Sequence, residues 1–261
     1  MQKITGKTYI SNLTYYACGY CKNNLGLVLK KHGKDIRNFS AGSFLIKHNE
    51  LGYILVDTGY AYDMQKRGIK SKLYKLFNPT YCKKEDEISS QLLNDGVNSN
   101  EIKFIILTHL HPDHIGNLKA FHNAKIIISK EAYEEYQKRK LKDLIFKELL
   151  PTDFEKRLKV IDCEKAYSEY QLFNDIYLLK MNGHAKGQVG VLLKDENILL
   201  AGDTCWGKDL LSASKNMNFI GKLIQNDMNE YRNSISYIEN QIANGMTVYF
   251  SHDRIDKKEL L

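Results

Sequence analysis

Between Thr108 and Gly116 the chain reads Thr-His-Leu-His-Pro-Asp-His-Ile-Gly, so three imidazoles and a carboxylate fall within six residues. The stretch directly follows Ile102–Leu107, a short run of apolar, mostly β-branched or aromatic residues stopped by polar ones, which predicts a buried strand. His109 and His111 are two apart, and on an extended backbone they point to the same side. Asp113 and His114 come where the chain turns, and Gly116 allows an awkward backbone angle there. Imidazole and carboxylate are the usual nitrogen and oxygen ligands of zinc and its first-row relatives. The 261 residues include only eight histidines, and three of them lie in this one turn. A metal site at a strand end accounts for that clustering better than incidental placement does.

Further motifs flank this one: Ile54-Leu55-Val56-Asp57-Thr58-Gly59 before it, then Gly183-His184, Leu200-Ala201-Gly202-Asp203-Thr204 and Phe250-Ser251-His252-Asp253 after it. Taken in order from about Leu45 to His252, the set resembles the metallo-β-lactamase superfamily. That resemblance implies an αββα four-layer sandwich of the α+β class, with residues 1–261 forming one domain. It also implies a binuclear centre. His109, His111 and His184 would hold one divalent ion, Asp113, His114 and His252 a second, and Asp203 would bridge them. The ions would be zinc, with manganese or iron(II) as alternatives. By the same resemblance Asp57 would orient an imidazole from behind, and a hydroxide shared by the ions would be the nucleophile. Asp113 would then pass a proton to the leaving group, which makes Asp113 and Asp203 the catalytic pair. The spacing agrees, since Asp113 and His114 are neighbours at a turn and can face a different point from His109 and His111.

Hydrophobic content of 43% and charged content of 26% suit a soluble globular protein. No apolar run approaches the roughly 18–20 residues needed to span a bilayer, and no apolar segment follows Met1–Lys7 as in a signal peptide. A cytoplasmic protein with no membrane partner is expected. The formal charge of +7 fits either a nucleic-acid partner or a lysine-rich surface. The densest cluster, Lys138-Arg139-Lys140, continues into Asp143, Lys147 and Glu148 as a solvated helix face would, so a small-molecule substrate is expected and nucleic acid is not. Five cysteines form an odd set that suits free thiols. Cys18-x-x-Cys21 has no second ligand pair for a structural zinc and is read as packing, as is Cys205.

Along the chain, residues 3–10 and 25–30 read as strands, and Phe44–His48 with Tyr53–Val56 as a hairpin through Gly52. His32 and His48 are expected at the surface. Residues 60–84 show no clean period and read as a long loop. Ile88–Leu93 predicts a short helix, and a second is expected from about His114 to Phe121. A strand at 125–128 is followed by a helical insertion around 129–150 beside the site, its stripe formed by Tyr133, Tyr136, Leu141, Leu144 and Ile145. Strands return from Tyr170 to Gly202, residues 207–243 look helical, and Met246–Phe250 is a last strand.

The chain length, Asp203 and the closing Phe250–Asp253 most resemble the N-acyl homoserine lactonase branch, which implies hydrolysis of a lactone or other carboxylic ester. Those lactonases carry a tyrosine three positions after the bridging aspartate, whereas this chain has Trp206, its only tryptophan. An indole N–H donates a hydrogen bond but cannot act as a phenol. Trp206 is expected to line the substrate pocket. The alternatives are a phosphodiesterase or nuclease, which the net charge favours, and a thioesterase like the hydroxyacylglutathione hydrolases, whose helical C-terminal extension is missing here. A non-catalytic binding module is disfavoured, because all seven ligand positions are filled. The oligomeric state stays open.

Overall fold

The computed structural model describes residues 8–138 and 143–261, and among these the strands form two sheets. The N-terminal half supplies β1 (Ile10–Asn24), β2 (Ile36–His48), β3 (Gly52–Val56), β4 (Thr80–Tyr81), β5 (Ile102–Ile106), β6 (Lys125–Ser129) and β7 (Leu158–Ile161). The C-terminal half supplies β8 (Glu169–Phe173), β9 (Ile176–Lys180), β10 (Val189–Leu193), β11 (Ile198–Leu200) and β12 (Thr247–Tyr249), and β13 (Lys258–Glu259) returns to the first sheet. The first sheet runs β13-β1-β2-β3-β5-β6-β7, with β4 also pairing β1, and the second runs β12-β11-β10-β9-β8. The helices are α1 (Leu25–Val28), α2 (Ile69–Phe77), α3 (Ile88–Asn94), α4 (Pro112–Ile115), α5 (Lys130–Lys138), α6 (Phe154–Arg157), α7 (Leu211–Ser214), α8 (Phe219–Ile224) and α9 (Met228–Ala243).

The layering follows from side-chain alternation. Successive residues of a strand point to opposite faces, and here both faces are buried. Ile54, Val56, Ile106 and Ile127 join Leu178, Val191, Leu193 and Leu200 in one core cluster between the sheets. Their chain neighbours Leu55, Ile105, Ile126, Ile128, Leu179, Leu192 and Leu199 belong to a second cluster, which includes Ile235 and Ile238 of α9 and Ile88 and Leu92 of α3. Sheets apolar on both faces need cover on both, and the result is the expected αββα sandwich. Each fully buried Ile or Leu contributes about 1.5–3 kcal/mol.

Strand direction decides where function can sit. β3, β5, β6 and β7 are parallel, so Asp57 after β3 lies beside Thr108 after β5. β11 and β12 are also parallel, which brings the segments after Leu200 and Tyr249 to one edge.

The structure departs from the sequence reading in several places. Residues Leu25–Val28 form a helix rather than a strand, because the Asn24 side chain accepts from Gly26 N–H and caps it. The segment read as a loop from 60 to 84 contains α2. The expected 114–121 helix is the four-residue α4 plus a 3-10 turn at Leu118–Ala120. The helix expected over 129–150 covers Lys130–Lys138, with a 3-10 turn at Lys147–Leu149. Leu141 of its stripe, the Arg139-Lys140 part of the basic cluster and most of the strand expected at 3–10 lie outside the described residues. The 207–243 region is broken into α7, α8, α9 and a 3-10 turn. His48 is buried, against expectation: Nδ1 accepts from Glu50 and Leu51 N–H, and Nε2 bonds Asn174 O at 3.1 Å. A histidine that closes its own hairpin turn this way has no reason to face water.

Candidate metal centre

Loops and the short helix α4, at one edge of the sandwich, carry all seven candidate ligands. His109 and His111 follow β5, Asp113 and His114 sit in α4, His184 lies between β9 and β10, Asp203 follows β11, and His252 follows β12. Pro112 is suited to the first position of α4, where no N–H bond is needed. His184 and Asp203 each follow a glycine held at positive φ, Gly183 at 131° and Gly202 at 55°. A Cβ on Gly183 would lie 2.3 Å from backbone atoms of Tyr231, so this ligand loop can reach the centre only through glycine.

The side chains converge in two groups, His109/His111/His184 and Asp113/His114/Asp203/His252, and within each group the donor atoms lie within 4.8 Å of one another. All seven are buried. Asp203 touches both groups: Oδ2 is 3.5 Å from His184 Nε2 and 2.8 Å from His252 Nε2, and Oδ1 is 3.4 Å from His114 Nε2. Asp113 Oδ2 lies 3.6 Å from His252 Nε2 and 3.8 Å from His114 Nε2.

Whether these residues suit cations can be read from their hydrogen bonds. His109 Nε2, His114 Nε2 and Asp203 Oδ1 are buried without a hydrogen-bond partner, an arrangement that costs free energy unless something else satisfies it. The opposite ring nitrogens are held from behind. Asp57 Oδ2 meets His114 Nδ1 at 2.8 Å, Gln225 Oε1 meets His184 Nδ1 at 2.9 Å, the Ser40 carbonyl meets His252 Nδ1 at 2.5 Å, and Thr108 Oγ1 meets His109 Nδ1 at 3.1 Å. An acceptor on Nδ1 keeps a proton there, so Nε2 is the nitrogen that can coordinate, directly in a neutral ring and after loss of its proton in a charged one. His111 is turned the other way, with Nδ1 3.0 Å from His184 Nε2. The donor set therefore fits two divalent cations.

Protonation divides the same way. Burial, reinforced by neighbouring imidazoles, pushes His109 and His111 well below the ordinary imidazole value, toward the neutral form a ligand needs. For His114 and His252 burial acts downward too, but the surrounding carboxylates, Asp57 and Asp203 for the first and Asp203 and Asp113 for the second, outweigh it and raise both. Burial acts upward on Asp203, and its imidazole neighbours His252 and His114 outweigh it, holding the carboxyl well below its usual range.

Asp57 is fixed on three sides: it accepts from Thr108 N–H and Thr108 Oγ1, each at 2.8 Å, besides holding His114. Trp206 is 7% exposed and packs edge-on to His184 and Phe39. It also lines a cavity of about 350 Å³ together with Asp113, His184, Asp203 and His252. His122 is exposed and outside both groups. Cys18 and Cys205 are free, buried thiols away from the ligand groups, and Cys21 is a free thiol on the cavity wall whose pKa burial pushes up to about 12.

Four participants have no counterpart in the sequence reading. Gln225 and the Ser40 carbonyl back two imidazoles. Arg37, almost fully buried, donates to the carbonyls of Trp206 and His252 at 3.1 and 3.2 Å and to both oxygens of Asp209. Tyr74 of α2 lines the cavity, its hydroxyl 3.2 Å from Tyr60 Oη and 2.5 Å from Asn78 Nδ2. Only Thr108, which precedes His109, could have been suspected from its position.

Residues 38–241 match the profile of the Metallo-beta-lactamase superfamily. An N-acyl homoserine lactonase of Bacillus cereus is 29% identical over 188 residues, spanning 67% of this chain and 68% of that one. A second, from a Bacillus species, is 30% identical over 173 residues, 61% of this chain and 62% of the relative. Among solved structures, a Bacillus thuringiensis AiiA mutant with N-decanoyl-L-homoserine bound at its active site superposes with a TM-score of 0.74 at 22% identity, covering 95% of each chain. AidC, a dizinc quorum-quenching lactonase, superposes at 0.69 with 19% identity, covering 97% of this chain and 92% of its own.

Proposed function

The chain belongs to the metallo-β-lactamase superfamily, and from that premise we propose that it is a metal-dependent hydrolase of lactones or related carboxylic esters. The observation that carries the reading is the convergence of seven buried side chains, from segments spread over more than half the chain, three of which (His109, His114 and Asp203) keep a buried donor atom without a hydrogen-bond partner. The similarity to N-acyl homoserine lactonases supports an ester carbonyl as the target.

His109, His111 and His184 would hold one divalent ion and Asp113, His114 and His252 the other, with Asp203 between them; nitrogen and oxygen donors of this kind suit zinc, manganese and iron(II). Such a pair supplies Lewis acidity toward the carbonyl and makes a water acidic enough to be deprotonated near neutral pH. The protein's own groups do the rest. Asp57, Gln225 and the Ser40 carbonyl fix the imidazoles so that no reorientation is needed during reaction. Asp113 lines the cavity, where its carboxylate can take a proton and return it to the departing alkoxide. Trp206, Phe39 and Val28, all buried, form apolar wall of the cavity that would keep water from the acyl part. The five free thiols support a reducing, cytoplasmic setting.

The test is a hydrolysis panel on metal-loaded protein: N-acyl homoserine lactones, simple lactones, aryl esters, thioesters and bis-aryl phosphodiesters. Turnover of lactones or esters above the other classes is expected. Phosphodiester turnover without ester turnover would overturn the assignment.

A further inference from the structure

The apolar side chains left at the surface are concentrated in one place. Of the sixteen large hydrophobic residues exposed among the described residues, nine lie on α1, α2 and α8. Scattered single apolar residues need no explanation, but a cluster of this kind does.

Helix α2 is inside out for a surface helix. Ile69, Leu73 and Leu76 follow one another at i, i+4 and i+7, the spacing of an apolar stripe, yet they are 80%, 51% and 72% exposed, and the adjoining Phe77 is 81% exposed. The only fully buried residue of α2 is Ser71, which hydrogen-bonds Glu148. Ser71, Tyr74 and Asn78 form the inward stripe: the Tyr74 hydroxyl accepts from Asn78 and meets the Tyr60 hydroxyl, and Asn78 accepts from Asn23. The helix gives its polar face to the protein and its apolar face to the outside. Helix α8 repeats the arrangement on a smaller scale: it buries only Gly221, against the Val28 carbonyl, and leaves Phe219 and Leu223 75% and 68% exposed.

The charge of these segments has one sign. From Met64 to Cys82 the chain carries Lys66, Arg67, Lys70, Lys72 and Lys75 and no carboxylate, and from Leu210 to Asn226 it carries Lys215 and Lys222 and none. Arg67 and Lys215 are paired with Asp63 and Glu239. The others flank the apolar stripes at exposed or half-exposed positions. Both helices rim the same opening, since Tyr74 and Phe77 of α2 and Ile220 and Ile224 of α8 line the cavity that holds Asp113 and Asp203.

We propose that this rim docks on an anionic lipid surface, with the stripes of α2 and α8 at the boundary between headgroups and acyl chains and the lysines at the phosphates, so that the cavity opens onto the lipid layer. Apolar residues flanked by lysine are what an interfacial helix needs, and lysine stems reach along apolar surface while keeping the ammonium in the polar layer. A second copy of the chain suits the same face poorly, because a two-fold contact between identical patches would set lysine rows against each other. The expectation of no membrane partner came from spanning segments alone. Among the described residues no helix is long and apolar enough to cross, and docking needs none. The proposal holds whichever ester the site takes.

Co-sedimentation of the metal-loaded protein with vesicles tests it, using phosphatidylcholine alone and an equimolar mixture with phosphatidylglycerol. Binding is expected to the mixed vesicles only, with release as salt is raised. The triple variant Ile69→Ser/Leu76→Ser/Phe219→Ser changes residues that do not line the cavity. It should bind those vesicles at least about tenfold more weakly, with metal content and turnover of a short water-soluble ester unchanged. Changing Lys70, Lys72 and Lys75 to Gln should remove the preference for anionic lipid. Failure of the unmodified protein to bind anionic vesicles at low salt, or equal binding by the triple variant, would overturn the proposal. So would a sedimentation-velocity dimer that the triple substitution dissolves, in a protein that ignores vesicles.

Discussion

Replacing Arg37 by Met tests how the loops carrying the centre are held. The Arg37 side chain is 1% exposed, and its guanidinium spans three partners: the Trp206 carbonyl, the His252 carbonyl and Asp209. The first two belong to the loops that deliver Asp203 and His252. Met keeps most of the apolar stem and removes every donor. Two carbonyls then lose a charged partner at about 1–3 kcal/mol each. Asp209, half exposed, returns to water at small cost, as surface ion pairs do. The expected loss is about 2–5 kcal/mol, the upper end of the sum discounted for water reaching one carbonyl. For a chain of this size that corresponds to a Tm lower by about 5–15 °C. Urea melts of the metal-free protein would measure it, and metal titration should show weaker uptake because the His252 loop is no longer tied. A loss below about 1 kcal/mol would refute the reasoning. So would an Asp209→Asn variant as unstable as the Arg37→Met one, because the ion pair rather than the carbonyl ties would then carry the energy.

Gently prepared protein should hold close to two divalent ions per chain, since seven donors are too many for one tetrahedral zinc; saturation at one, by elemental analysis under added zinc, manganese or iron, would count against Asp203 as a bridge. Asp203→Ala and His109→Ala should abolish hydrolysis while His122→Ala should not, and activity within a few-fold in the Asp203 variant would sink the assignment. Trp206→Phe should keep turnover within about tenfold, or roughly 1.4 kcal/mol of barrier, because Trp206 serves as wall; a collapse of turnover with metal and fold intact would make its N–H a participant. Metal uptake near neutral pH should release protons, because the raised His114 and His252 are protonated in the metal-free protein and their nitrogens must be freed for a cation. Their contribution to metal-free stability is fully present below about pH 6.5 and is lost as pH rises through their raised values, whereas metal affinity climbs over the same range. Calorimetry in two buffers of different ionisation enthalpy would show the release, and its absence would contradict the protonation assigned here.

The sequence by itself determined what is local. His109, His111, Asp113 and His114 share one turn, their spacing follows from strand and turn geometry, and the strands that deliver them are short apolar runs with turn residues at their ends. The same is true of the Asp57, Asp203 and His252 segments, each a recognisable strand end. The tertiary structure decided everything that depends on distant partners. Gln225 stands 41 residues from His184, the Ser40 carbonyl 212 from His252, and Arg37 169 from Trp206. Nothing in the composition around any of these residues marks its role. Local pattern also misled where an element has an unusual environment. His48 was expected at the surface rather than at the metal, but it is buried because it closes its own turn. Helix α2 was read as part of a loop because residues 60–84 show no clean period as a whole; the nine residues of α2 do carry a stripe, Ile69, Leu73 and Leu76, but it faces out and the inward stripe is Ser71, Tyr74 and Asn78. Hydrophobic periodicity reports which face of an element differs from the other; which of the two faces meets the protein is settled only when the neighbouring elements are packed against it.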